Sequence, residues 1–178
     1  MADSINSAQV TINDRFDVLA DEPLPDFNCG TALAYRVRHR RDSNLSLFGL
    51  VCDPRLPVRF DKLGIVSRIE SPYLMRLNDW GIADWPLSNT QCPILVFERP
   101  SRGRLFDSPD QEIEPRHEDY VIKHVVKPFY DVLRECRDVG LAHRNIRPDN
   151  IFLDGAADGN MILGQCLSSS PGFEQPFI

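Results

Sequence analysis

The chain has 178 residues, 42% of them hydrophobic and 26% charged, and a formal net charge of −6. That length holds one domain with a core, or part of a larger fold, and the acidic balance excludes a dedicated nucleic-acid binder, which carries a basic face. No apolar run is long enough to cross a membrane, and the five scattered cysteines (Cys29, Cys52, Cys92, Cys136, Cys166) lack C-x-x-C spacing, so neither a zinc site nor a disulfide framework is expected. The expected compartment is a reducing cytoplasm.

Residues 1–14 read as a flexible, polar lead-in. Residues 15–19 are predicted as a first strand, followed by the proline-rich stretch 21–26. The stretches 32–40 and 45–52 read as adjacent antiparallel strands joined by Arg41-Asp42-Ser43-Asn44. The alternating Arg36, Arg38 and Arg40 fit a solvated strand edge better than a nucleic-acid patch. Phe60, Leu63, Val66 and Ile69 have helical spacing over 59–69, and Ser71-Pro72 ends that helix because the residue before proline avoids the α region. Strands are expected at 73–80 and 94–98, separated by a turn-rich segment over 85–93. The longest helical pattern runs over 119–139, kinked or divided at Pro128 and stopped at Gly140. The order predicts an α+β fold.

The stretch His143-Arg144-Asn145-Ile146-Arg147-Pro148-Asp149-Asn150 resembles the catalytic loop of protein kinases, H-R-D-L-x-x-x-N. Residues 71–77 look like the family's link from the αC helix to its fourth strand, and 94–98 look like the strand that runs into the hinge. The resemblance implies a protein-kinase-like fold of the eukaryotic Ser/Thr type. Residues 15–100 would form the β-rich small lobe, with an αC-like helix. Residues 101–178 would form the hinge exit and a partial, mainly helical large lobe, cut near the D-F-G position. The end at Pro176-Phe177-Ile178 reads as that of a fragment.

The same resemblance implies which chemistry is missing. Asn145 stands where the catalytic Asp belongs, and an amide is no general base at neutral pH. Cys52 takes the place of the phosphate-gripping Lys, and Lys62, beside Asp61, the place of its Glu partner. Gly30 alone remains of the glycine loop. Gln165 replaces the metal-binding Asp of D-F-G, and Asn150 is a vestigial metal ligand. Asp149, Asp154 and Asp158 read as solvated loop acids rather than metal ligands. Leu50, Phe97, Glu98, Pro100 and Phe152 would complete the remnant of a nucleotide pocket. Pro100 has no N–H to offer adenine, and Leu50 and Phe152 are bulky enough to fill the space.

Structural roles are implied for His143, Leu77 and Val66 in a packed spine, where Cys166 replaces a larger Phe, and for Arg144 as a hydrogen-bond donor. These positions imply a pseudokinase that regulates or scaffolds a protein partner or linked effector domain, with no cofactor expected. Two alternatives stay open. One is an unconventional, weak kinase in which Lys62, Arg36 or Arg38 supplies the lost cation. The other is a switch that binds ATP without magnesium.

Overall fold

The computed structural model describes residues 8–106, 111–112, 115–155 and 160–168. The chain divides into two compact units, Met1–Leu56 with Asn78–Glu98, and Pro57–Leu77 with Arg99–Ile178.

In the first unit, β1 (Gln9–Ile12), β2 (Phe16–Pro23), β3 (Leu33–His39), β4 (Leu47–Val51), β5 (Leu77–Trp85) and β6 (Thr90–Glu98) form one sheet in the order β1-β2-β3-β4-β6-β5. Strand β1 corrects the expectation of a flexible lead-in through residue 14. Gln9-Val10-Thr11-Ile12 alternates polar with β-branched residues and buries Ile12. Asn13 and Asp14 then take left-handed φ values of 49° and 55°, which closes a tight turn into β2. Strand β6 starts at Thr90 rather than 94 in spite of Pro93. The missing N–H falls one step past the last β4–β6 pair, Val51↔Ile94, where only the Pro93 carbonyl is needed, to accept from Cys52 N–H.

The sheet curls until its two edges meet. Asn13 Nδ2 donates to Asp79 Oδ1 (2.9 Å) and to Trp80 O (3.0 Å), and Arg15 lies 3.6 Å from Asp79. A Cβ on Gly81 would stand only 2.9 Å from Ile12 Cγ2, so a side chain there would push the edges apart. Ile12, Phe16, Val18, Tyr35, Val37, Trp85, Ile94 and Val96 fill the enclosed face. On the other face Phe27 packs on Phe48 (4.9 Å between rings) and Phe48 on Phe97 (5.7 Å).

In the second unit, the helix expected over 59–69 shrinks to a 3-10 turn, Phe60–Lys62, and one α turn, α1 (Leu63–Val66). Gly64, the β-branched Ile65 and Val66, and the lack of any capping side chain explain why it grows no longer. The expected boundary also moves, because residues 57–77 belong with this unit rather than with the strands. Residues 73–75 do not begin β5. They pair with Leu163 instead, through Leu163 N–H to Tyr73 O and Met75 N–H to Leu163 O (2.8 Å each).

The long helical pattern is three pieces: α2 (Glu118–Val121), a π turn (Ile122–Val126) and α3 (Lys127–Asp138). Pro128, which cannot donate an N–H, follows the π turn at the start of α3. Gly140, at φ 70°, ends α3. Its N–H reaches Arg137 O (2.9 Å) and Leu141 N–H reaches Cys136 O (2.8 Å), the paired bonds of a Schellman end. Strands β7 (Ile151–Leu153) and β8 (Met161–Leu163) form an antiparallel pair after the 3-10 turn Pro148–Asn150.

Candidate functional site

The end of α3 delivers the chain into 141–150, where buried and exposed residues alternate. His143, Asn145 and Asn150 are buried, and Arg144 is exposed at a φ of 61°. His143 Nδ1 accepts from Asn145 N–H (3.3 Å), so Nε2 carries the ring proton and donates to Gly164 O (2.9 Å). Burial pushes the imidazole down to about 4, so it is neutral near pH 7.

Two side-chain amides meet the Gln165 backbone beside it. Asn145 Nδ2 donates to Gln165 O (2.9 Å), and Asn150 Nδ2 donates to both Asn145 O (2.7 Å) and Gln165 O (3.0 Å). Gly164 N–H returns a bond to Asn150 O (2.7 Å), and any Cβ on Gly164 would overlap the Asn150 side chain. Gln165 turns the other way and caps its own chain, accepting from Leu167 N–H (2.7 Å) and Ser168 N–H (2.9 Å). Each of the three residues is at most 3% exposed.

The nearby acids are engaged elsewhere. Asp149 Oδ1 accepts from Arg147 Nε (2.9 Å). Asp154 accepts from the Ser101 hydroxyl (2.6 Å) and N–H (2.9 Å), which hold its carboxyl below the usual range. Asp158 lies outside the described residues. Among the described residues no group of three His, Cys, Asp or Glu side chains is placed to hold a metal.

The remaining nucleotide-site positions divide between the units. In the first, Cys52, Leu50 and Phe97 are buried and Glu98 is exposed. Gly30, at φ 57°, turns the chain between Cys29 and Ala32. Several amides of the loop that would cradle phosphates bond within the loop itself. Phe27 N–H goes to Leu24 O, Asn28 N–H to Pro25 O, Cys29 N–H to Ala32 O, and Ala34 N–H to Asn28 Oδ1. In the second unit Pro100 and Phe152 are buried, and Lys62 pairs with Asp61 at 3.1 Å. Arg36 and Arg38, the other candidate cations, both pair with Glu22 (3.0 and 2.8 Å). Val66 and Leu77 are buried, as is Cys166, whose thiol burial pushes up to about 12.

Sequence reasoning missed Arg59. It is 7% exposed and donates Nη1 to His143 O (3.2 Å) and Cys166 O (2.9 Å). An arginine beside Phe60 at the head of a weak helix carries no signal of burial in the sequence.

No protein-family model matches the chain. It is similar to three protein kinases: NUAK family SNF1-like kinase 2 of Rattus norvegicus, 26% identical over 100 residues, serine/threonine-protein kinase ArnS of Sulfolobus acidocaldarius, 30% over 83, and CBL-interacting protein kinase 4 of Oryza sativa, 27% over 100. These matches cover 56%, 45% and 56% of this chain, and only 14%, 13% and 20% of the relatives. The crystal structure of Rad53 1-466 in complex with AMP-PNP superposes with a TM-score of 0.67 at 17% identity, over 87% of this chain and 39% of that one. The chain has a protein-kinase-like fold.

Asn145, Asn150 and Gln165 are the residues that the resemblance to kinases assigns to the base and metal-ligand positions. A neutral amide neither takes a proton from a hydroxyl nor holds a hard divalent ion as a carboxylate does. The arrangement of the kinase-like chain joins loop to strand, and the bonds that hold it are structural.

Proposed function

We propose that this kinase-like chain is a pseudokinase-type module that regulates or scaffolds a protein partner or a linked effector domain. The observation that carries the reading is the closed network of Asn145, Asn150 and Gln165. Each amide is buried and bonded within the chain, and Asn145 and Gln165 occupy the places that the resemblance assigns to the charged oxygens of phosphoryl transfer. The amides that the loop after Leu24 commits to its own oxygens and the buried Cys52 support it, because both reduce phosphate contacts. The five unbridged cysteines favour a reducing cytoplasm as the site of action.

Thermal unfolding with millimolar ATP, in magnesium and in EDTA, tests the reading. A ligand at about a hundred times its Kd stabilises by roughly 2.7 kcal/mol, a visible shift in Tm. No shift is expected in either condition. A magnesium-dependent shift together with phosphotransfer lost in Asn150→Ala would overturn the reading in favour of a weak kinase. An equal shift in EDTA would replace it with a metal-free nucleotide switch.

A further inference from the structure

Arg59 is a buried cation held by backbone carbonyls. Among the described residues no ion pair involves it. Its guanidinium reaches two backbone carbonyls instead, His143 O at 3.2 Å and Cys166 O at 2.9 Å, and its own N–H donates to Leu167 O at 2.9 Å. These bonds grip the amide network from both sides. His143 opens the loop that carries Asn145 and Asn150, and Cys166 and Leu167 directly follow Gln165.

Active kinases hold the corresponding elements with groups that respond to ligands, a Lys–Glu pair engaged on phosphate and an Asp on magnesium. Here a thiol, Cys52, stands at the place the resemblance gives to the Lys, and Lys62 pairs with its neighbour Asp61. We propose that Arg59 is a ligand-independent latch that holds residues 163–168 and the 143–150 loop in one fixed arrangement. Its parts do not switch. A guanidinium stays charged at every accessible pH, and its acceptors are main-chain carbonyls that no side-chain modification removes. Both charge-assisted bonds leave Nη1, whose two hydrogens lie fixed in the guanidinium plane, where the hydrogens of an ammonium rotate. The consequence is that this unit offers a partner the same surface with and without nucleotide. This inference deepens the pseudokinase reading and rests on it, but it fails separately.

The test is amide hydrogen exchange on the full chain, for wild type, Arg59→Met and Arg59→Lys, with and without millimolar Mg-ATP. In Arg59→Met the amides of Gly164, Leu167 and Ser168 should exchange about tenfold faster or more, with Val18 and Val37 of the barrel unchanged, because only the latched segment opens. Arg59→Lys should lie between, since it keeps the charge and loses the fixed planar donor. Wild-type rates at all three amides in Arg59→Met, or the same acceleration at Val18 and Val37, would overturn the latch. If Arg59→Met does not fold, Arg59→Lys decides by the same two criteria. Protection of these amides by Mg-ATP in wild type would also overturn it. A Tm shift with nucleotide that leaves these amides unmoved would defeat the pseudokinase reading and leave the latch standing.

Discussion

At Asn145 a single-atom difference, amide nitrogen in place of carboxylate oxygen, changes what the site can do. Asn145→Asp should restore no phosphotransfer, because a carboxylate there would face Gln165 O in place of the present N–H donor. Gln165 O keeps its bond from Asn150 Nδ2, but the buried carboxylate has no donor there, and the change should cost about 1–3 kcal/mol, visible as a lower urea midpoint. Gly164→Ala should cost about as much by overpacking against Asn150, and denaturant unfolding measures it. His143 supplies a pH signature. Its folded-state pKa lies near 4, below the ordinary 6.5, so the unfolded chain binds the proton more readily. Stability from this group is therefore complete above about pH 6.5 and falls as the pH drops toward 4, by roughly 3 kcal/mol. His143→Gln should flatten the stability profile across that window, and an unchanged slope would assign it to other groups. The motif 143–150 made the identity of these residues legible from the sequence. It did not reveal that the amides would close on the backbone of 164–165, since those bonds join residues 15 or more apart.

At the scale of elements, local pattern succeeded where a segment's own chemistry decides its shape. The strands over 33–39 and 47–51 follow their apolar runs, and Gly140 stops α3 because it alone takes the left-handed turn without strain. The pattern misled where long-range contacts decide. Residues 73–75 have strand character, yet they pair with Leu163, and the real β5 begins at Leu77. Strand β1 looked like lead-in because four residues form a strand only with a partner, here β2. It contributes Ile12 to the barrel interior, so Ile12→Ala should destabilise by about 2–5 kcal/mol in thermal or urea unfolding. A change below about 0.5 kcal/mol would mean that β1 is not an integral wall.

At the scale of the whole molecule, the acidic balance argues against nucleic acid, and the arginines of β3 are already paired with Glu22. The chain is therefore expected to flow through heparin at about 0.15 M salt, where exposed charges are screened beyond about 8 Å. Retention there would reopen a polyanion partner. No helix among the described residues is long and apolar enough to cross a membrane. The sequence by itself carried the kinase-like class and, through that resemblance, the expectation that Asn145, Cys52 and Gln165 replace Asp, Lys and Asp. These are properties of residue identity and order, carried by a short contiguous motif and its spacing. Only the tertiary structure decided that residues 57–77 belong with the second unit, that the sheet closes on Gly81, and that Arg59 is buried against two carbonyls. The reason is physical. Arg59 meets residues 84 and 107 positions away, and a buried cation is tolerated only where the folded backbone supplies acceptors that no local sequence pattern encodes.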